Sequence, residues 1–338
     1  MMEHLDYPLI WGFLIAVAIF CYVILDGFDL GVGILFPTNK NEEERSLMMN
    51  SVAPVWDGNE TWLILGGGGL FAVFPLAYAV IMPALYAPIF VMLFGLVFRG
   101  VAFEYRFKAS DKRRHYWDLS FFWGSLLAAF AQGVILGALV QGITVVDRQY
   151  AGGWWDWLTP FTIMTGFALV AGYALLGSTW LIMKLEGRPQ EHFREIAKPC
   201  AIILLAFIVL VSAWMPFKSP SAMMHYFETP YIYYTSAVPV LVVILAYIMW
   251  RGITDPRHHG RAFVSTLLLF LVTYIGLGIS IFPDVVPHVY SVWDAAGPPR
   301  SLQFLLVGAA FLLPIILAYT AYAYWVFRGK VKPGEHYH

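Results

Sequence analysis

Long apolar stretches alternate with short polar ones along the whole chain of 338 residues. A helix needs about 20 apolar residues to cross the hydrocarbon core of a bilayer, and nine stretches reach that length. We therefore predict an all-α polytopic membrane protein that forms one integral membrane domain over residues 1–338. The nine transmembrane helices are predicted near residues 8–36, 50–74, 78–105, 117–143, 160–184, 196–216, 231–250, 262–283 and 302–327.

The composition agrees with this pattern and excludes several classes of function. Hydrophobic residues make up 59% of the chain and charged residues 13%, whereas about a quarter of a soluble domain is charged. The net charge of -1 provides no basic field for nucleic acid. Cys21 and Cys200 lie in apolar stretches without CxxC spacing, so we predict neither a disulfide scaffold nor a metal site. The connections are too short for a soluble catalytic domain.

Basic residues are distributed unequally between the two sides of the predicted bundle. Eighteen of the 21 Lys and Arg residues follow spans one, three, five, seven and nine or lie at their ends. Because cytoplasmic connections carry the excess of positive charge, we expect the N-terminus outside the cytoplasm and the C-terminus inside. The first eight residues contain no Lys or Arg, so the first apolar stretch is expected to be a retained span, not a cleaved signal peptide.

Charged and amide side chains interrupt the second predicted span near its cytoplasmic end. Asp57, Asn59 and Glu60 lie between Trp56 and Trp62, directly before a long apolar run. An ionised carboxylate in the bilayer interior costs from a few to roughly ten kcal/mol, so such groups persist mainly where they pair, line a wet cavity or carry protons. The motif therefore indicates a function.

Further charged residues are expected at the same depth. Asp26 and Asp29 share one face near the inner end of span one, and Arg99 and Glu104 lie near the inner end of span three. One interpretation is a path that relays protons from the cytoplasm, and we favour it for Asp57 and Glu60. The other interpretation is a static charge cluster that joins three helices. For Asp26, Asp29 and Arg99 this interpretation is at least as well supported as the proton path. Glu104 can simply face the inner headgroups.

The histidines bear on haem binding. All nine fall in termini or connections of the predicted topology, whereas a haem in a membrane bundle needs axial His, Met or Cys ligands. Only methionines such as Met92 and Met164, or a cysteine, remain within the spans, and such residues are more often packing groups. Any haem is therefore expected in a partner protein.

Three motifs resemble those of subunit II of cytochrome bd-type quinol oxidases. They are DGFDLGVG at residues 26–33, NSVAPVWDGNETW at residues 50–62 and FRGVAFE at residues 98–104. The later IFP at 281–283 and SVWDA at 291–295 extend the resemblance over the whole chain. The stretch GGGGLFAVFPLAY at 66–78 is similar to the cyanide-insensitive branch of the family.

The resemblance implies a nine-helix fold of two four-helix bundles plus one peripheral helix, located in a bacterial inner membrane. It implies a heterodimer with subunit I, which carries haems b558, b595 and d, oxidises ubiquinol and reduces O2 to water with cytoplasmic protons. Asp57 matches the family's proton-path acid, flanked by Trp56 and Asn59. A ubiquinone as structural lipid and a small single-helix accessory subunit are further expectations of the resemblance.

Two other functions are open at this point. A proton-coupled transporter also places acids in Gly-rich helices, but we find no inverted repeat, and the polar groups gather at one end of three helices. A purely structural scaffold for the haem subunit would need the same charge cluster without any proton transfer.

The location of the haem can be tested by absorption spectroscopy. We expect haem bands from the chain purified together with its partner, and no haem bands from the isolated chain, because its spans lack histidine. A haem spectrum from the isolated chain would contradict this expectation.

Overall fold

The computed structural model describes residues 5–218 and 231–332. Helices dominate this part of the chain, and two short antiparallel hairpins join them on the predicted outer side. The elements in chain order are α1 (Tyr7–Leu35), a 3-10 turn (Phe36–Thr38), α2 (Glu42–Asn50), α3 (Trp56–Val73), α4 (Pro75–Ala84), α5 (Tyr86–Arg106), α6 (Asp111–Gln141), β1 (Val145–Val146), β2 (Gln149–Tyr150), α7 (Pro160–Lys184), α8 (Arg188–Lys218), α9 (Tyr231–Thr235), α10 (Ala237–Thr254), α11 (His259–Ile281), β3 (Asp284–Val286), β4 (Tyr290–Ser291) and α12 (Pro299–Val326).

Within the described residues, eight helices are long and apolar enough to cross a membrane. They confirm a polytopic all-helical membrane protein and correspond to eight of the nine predicted spans. The ninth, α3, is an 18-residue helix that is not among the eight, since its first turns carry Asp57, Asn59 and Glu60 and its middle carries four glycines. The count of nine spans, and their division into two four-helix bundles and a peripheral helix, stay predictions.

Prolines account for the main differences from the predicted boundaries. The third span, predicted over 78–105, consists of α4 and α5, which are separated at Leu85. Pro88 has no N–H for the carbonyl of Ala84, and its ring crowds that carbonyl, so the helix breaks there. The second span begins at Trp56 and not at residue 50, because turns that include Pro54 separate α2 from α3.

Helix α1 lies at the centre of the first half of the fold, against α3, α6 and α7. Its close approach to α7 depends on glycine: a Cβ at Gly31 would lie 1.9 Å from the carbonyl oxygen of Tyr173, and one at Gly177 would lie 2.4 Å from the backbone of Gly31. Helix α7 also packs against α8 and α11. The two halves of the chain therefore share α7.

Helix α12 is the least covered of the spanning helices. Its side chains are mostly exposed, and it contacts α1 and α3 along a narrow line. Near its outer end, the indole Nε1 of Trp11 donates to the carbonyl oxygen of Leu302 over 3.0 Å. Polar contacts of this kind fix a helix that buries little apolar surface.

The crossing of α1 and α7 gives a stability prediction. Gly31→Ala should destabilise the protein by about 1–3 kcal/mol, because the new methyl group forces two backbones apart. Gly278→Ala is the control, since a Cβ there meets no atom within 4 Å. Thermal unfolding of the detergent-purified protein measures both, and equal midpoints for Gly31→Ala and wild type would contradict the packing argument.

Candidate functional site

Two aspartates occupy the buried face of α1, six to nine residues from its end. Asp26 and Asp29 are three positions apart, which places them on one side of the helix, and neither exposes any surface. Gly27 lies between them and faces the ring of Tyr173 on α7. Gly27 and Gly31 thus turn toward α7, while the carboxylates turn toward α3 and α5.

Arg99 of α5 joins three helices at this point. Its Nη1 donates to Oδ1 of Asp26 over 2.5 Å, and its Nη2 donates to Oε2 of Glu60 over 3.0 Å. The guanidinium is fully buried, whereas the Glu60 side chain is 29% exposed. A planar fork that binds two separate carboxylates holds α1, α3 and α5 in a fixed geometry.

Asn59 connects the second aspartate to the last helix. Its Nδ2 donates to Oδ2 of Asp29 over 2.8 Å and to the carbonyl oxygen of Leu25 over 3.3 Å. Its Oδ1 accepts a hydrogen bond from the Tyr324 hydroxyl of α12 over 2.8 Å. Asn59 is almost fully buried, so both ends of its amide are used inside the protein.

Aromatic rings shield the cluster. The ring of Trp56 stacks on that of Phe103 with centroids 4.7 Å apart, and the Arg99 guanidinium lies 5.8 Å from the Trp56 ring. Trp62 is buried against Ala18 and Tyr22 of α1. A water-poor surround strengthens the ion pairs and increases the cost of any uncompensated charge.

The charges of the cluster do not balance. One guanidinium faces three carboxyl groups, those of Asp26, Asp29 and Glu60. Within the described part of the chain, Oδ2 of Asp26 and Oδ1 of Asp29 accept no hydrogen bond. Two buried carboxylates with unused oxygens can bind a proton or a water molecule, which is the chemistry that this arrangement offers.

A polar chain continues from Tyr22, one turn before Asp26, and so toward the predicted outer side. The Tyr173 hydroxyl donates to Oε1 of Gln132, and Nε2 of Gln132 donates to the Tyr22 hydroxyl, over 2.8 and 2.7 Å. All three side chains are buried. This chain links α1, α6 and α7 beside the cluster.

The structure brings together five of the residues singled out in the sequence: Asp26, Asp29, Asn59, Glu60 and Arg99. Asp57 lies outside the hydrogen-bonded cluster, exposed on α3 one turn before Glu60. Glu104 is also exposed and pairs with Lys108 over 3.3 Å, so it does not belong to the cluster. Arg99 compensates Asp26 and Glu60, and not Asp57.

Sequence reasoning missed a second charged network at the inner ends of the helices. Arg106 is fully buried and donates to Asp118 over 2.6 Å and to Glu42 over 2.7 Å, while Arg45 binds the other oxygen of Asp118 over 3.1 Å. These residues lie near predicted span ends, where charged residues normally face water. Nothing in their spacing indicated that Arg106 would be buried.

Sequence reasoning also missed Tyr324. It belongs to a Tyr-rich stretch at the end of the last span, which is typical of an aromatic belt. Its neighbours Tyr322 and Trp325 are indeed exposed. Only the packing of α12 on α3 distinguishes Tyr324 from them.

The histidines and the methionines Met92 and Met164 of the described residues form no pair of axial haem ligands within the spans. Five of the histidines lie in connections or in the first two turns of helices: His115, His192, His258, His259 and His288. His4, His225, His336 and His338 lie outside the described residues. Met92 and Met164 pack in two different hydrophobic clusters, so they form no axial pair. In the described part of the chain, no group of three His, Cys, Asp or Glu could hold a metal ion.

Known proteins resemble this chain over nearly its whole length. The family model for "Cytochrome bd terminal oxidase subunit II" matches residues 7–327. The chain is 31% identical to cytochrome bd-I ubiquinol oxidase subunit 2 of Escherichia coli (strain K12), with 98% of this chain and 97% of the relative covered. It is 30% identical to cytochrome bd ubiquinol oxidase subunit 2 of Bacillus subtilis (strain 168), with 96% and 97% covered.

A solved structure has the same fold. A chain of the bd oxidase from Geobacillus thermodenitrificans superposes with a TM-score of 0.79 at 14% sequence identity. The match covers 95% of this chain and 99% of the other. At that identity the similarity establishes the fold.

The ion pairs of Arg99 give a stability prediction. Arg99→Leu should destabilise the protein by about 3–5 kcal/mol, because it leaves buried carboxyl groups without a compensating charge. We expect a lower yield of detergent-extracted protein and a lower unfolding temperature. Adding Asp26→Asn to Arg99→Leu should recover part of the loss.

The control for this prediction is Arg328→Leu, which removes an exposed arginine near Trp325. It should leave yield and unfolding temperature unchanged. Wild-type stability of Arg99→Leu would show that the cluster does not hold the three helices together.

Proposed function

Because the chain belongs to the cytochrome bd terminal oxidase subunit II family, we propose that it supports a haem-bearing subunit I and conducts cytoplasmic protons toward it. The complex then acts as a quinol:oxygen oxidoreductase of a bacterial respiratory chain. The observation that carries the proton role is the set of three carboxyl groups, those of Asp26 and Asp29 fully buried and that of Glu60 partly exposed, around the one guanidinium that contacts them in the described residues, that of Arg99.

The surplus of carboxyl groups supports a transfer role. A structural ion pair needs one acid for each base, and further buried carboxylates only add desolvation cost. Asp29 is a fully buried additional acid, and Glu60 is a second one that is partly exposed at the surface of α3. Proton transfer needs carboxyl groups that alternate between the protonated and the ionised form, whereas a static brace does not. The proton role therefore explains why additional acids are present.

We place the first steps of the path on α3. Asp57 and Glu60 are three residues apart, so both lie on the same side of the helix. Asp57 is exposed and nearer the predicted cytoplasmic end, and Glu60 is bound to Arg99. In this proposal Asp57 takes a proton from the inner side and Glu60 receives it, while Asn59 and Arg99 hold the neighbouring groups in position.

We propose that the exposed face of α3 that carries Asp57 contacts subunit I. Thr61, Ile64, Gly67 and Phe71 are exposed on the same side. A Cβ at Gly67 or Gly68 would meet no described atom within 4 Å, so a helix of the partner could approach closely. Protons that pass along this contact between α3 and subunit I would then reach the partner and not the lipid.

Haems b558, b595 and d are assigned to subunit I in this proposal, in keeping with the histidine positions of the described residues. Ubiquinol is the proposed electron donor because the Escherichia coli relative is a ubiquinol oxidase subunit. We further propose an inner-membrane location with the N-terminus in the periplasm and the C-terminus in the cytoplasm. Cyanide insensitivity, a ubiquinone as structural lipid and a small accessory subunit stay predictions.

A purely structural role is the second candidate, and one observation favours it. Arg99 joins α1, α3 and α5 by direct, buried hydrogen bonds, as a static brace would. Proton-uptake measurements separate the two roles, because a brace affects assembly and not the rate of the assembled complex. The transporter reading has no comparable support in the geometry.

The proton role predicts that Asp57→Asn and Glu60→Gln lower O2 reduction by the assembled complex. We expect a decrease on the order of tenfold, which corresponds to about 1.4 kcal/mol in the barrier. Both variants keep the size of the side chain and remove its ability to carry a proton, and Glu60→Gln also removes the negative charge that pairs with Arg99. Oxygen consumption per haem measures the effect.

Glu104→Gln is the matched control, since Glu104 is an exposed acid paired only with Lys108 in the described residues. It should turn over at the wild-type rate. Full turnover by correctly assembled Asp57→Asn and Glu60→Gln would contradict the proton role and leave the structural one.

A further inference from the structure

A cavity of about 450 Å³ lies between the inner ends of α7 and α12 and the connection before α3. Its walls include Ser51 and Val55 before α3, Trp180 and Lys184 at the end of α7, and Tyr324 on α12. These ends all belong to the predicted cytoplasmic side. The cavity is large enough for several water molecules.

Lysines in the wall join α7 to the chain that follows α12. The Lys184 ammonium donates to the carbonyl oxygens of Phe327 and Gly329, and Lys330 donates to the carbonyl oxygen of Leu185 over 2.7 Å. Burial lowers the pKa of the Lys330 ammonium. The basic groups are therefore tied to backbone carbonyls in the wall, and Glu186 adds a carboxylate to the same lining.

The wall of the cavity that faces the protein interior is connected to the buried aspartates by hydrogen bonds. Tyr324 lines the cavity and donates its hydroxyl hydrogen to Oδ1 of Asn59. The same amide donates to Asp29 over 2.8 Å. Two hydrogen bonds therefore separate the cavity from a fully buried carboxyl group that has one oxygen without a hydrogen bond in the described residues.

We propose that this cavity is a cytoplasmic water vestibule, and that Tyr324 and Asn59 form the inner contact through which protons reach Asp29. This gives Asp29 its own proton supply, separate from the route through Asp57 and Glu60 on the exposed face of α3, and a full turnover needs both. It rests on the proposed proton role and adds the interior route.

The step involves only proton transfer. The Asn59 amide does not pass a proton itself, so it must rotate to let a water molecule bridge the Tyr324 hydroxyl and Asp29. A cavity water that has taken up a proton from the cytoplasm then gives a proton to the Tyr324 oxygen and returns to neutral water, while the hydroxyl proton of Tyr324 passes through the bridging water to the Asp29 carboxylate. The phenol ends unchanged, and Asp29 has gained one proton.

The simpler alternative is that Tyr324 only fixes α12. That helix buries little surface, and the Trp11 contact at its outer end serves the same purpose. A fixing role does not need a water-sized space behind the hydroxyl or an ionisable group beyond Asn59. The two roles differ in what the assembled complex does, so kinetics distinguishes them.

The test uses the assembled oxidase in inside-out membrane vesicles. Proton uptake during a single turnover with O2 is followed by a pH-indicator dye, with haem absorbance as the measure of assembled complex. Glu186→Cys is labelled with a polyethylene-glycol maleimide, which fills the mouth of the vestibule. Lys108→Cys carries the same label on an exposed site away from it, and labelled wild type controls for Cys21 and Cys200.

We expect the label on Glu186→Cys to slow proton uptake severalfold and the label on Lys108→Cys to have no effect. Tyr324→Phe, which keeps the ring and removes the hydroxyl, should slow uptake on the order of tenfold. Wild-type uptake by labelled Glu186→Cys overturns the vestibule. So does wild-type uptake by assembled Tyr324→Phe at reduced yield, which is the result expected of a residue that only fixes α12.

Failure of this inference is distinguishable from failure of the proposed function. If Glu60→Gln slows uptake while labelled Glu186→Cys and Tyr324→Phe do not, the proton role stands and the interior route is wrong. If Glu60→Gln and Asp57→Asn also take up protons at the wild-type rate, the proposed proton role fails and the interior route fails with it.

Discussion

The buried Arg99 guanidinium is the interaction on which the rest of the site depends. It is the one cation in contact with the carboxyl groups of the cluster among the described residues, and its two donor nitrogens bind acids on different helices. Without it, the carboxyl groups of α1 and α3 would lie close together in a water-poor interior with no compensating charge among the described residues. The relative position of α1, α3 and α5 is therefore determined by the ion pairs of Arg99 as well as by side-chain packing.

The glycines of α1 and the charge cluster are two parts of one arrangement. Gly27 and Gly31 let α7 approach α1 so closely that a side chain at either position would strike Tyr173. This close contact leaves Asp26 and Asp29 on the remaining side, where they meet Arg99 and Asn59. The DGFDLG sequence thus combines small residues for one neighbour with carboxylates for another, which explains why polar and small residues alternate within an otherwise apolar helix.

Much of the site could be predicted from the sequence because charged residues are conspicuous in apolar stretches. Asp26, Asp29, Glu60 and Arg99 were grouped by their expected depth alone, and the structure places them in one cluster. Depth does not specify the direction in which a side chain points. Asp57 and Glu104 lie near the same depth but face outward, since their positions fall on the uncovered sides of α3 and α5.

The sequence by itself determined the membrane class, eight of the spans and the family, because hydrophobic length and local motifs are properties of adjacent residues. Only the tertiary structure decided which acids Arg99 compensates and which tyrosine of the last span points inward. Tyr324 and Asn59 are 265 positions apart, and no local pattern encodes a contact between such distant residues. That contact follows from the rotation of α12 against α3, which is set by packing across the whole bundle and by the polar contact near its outer end.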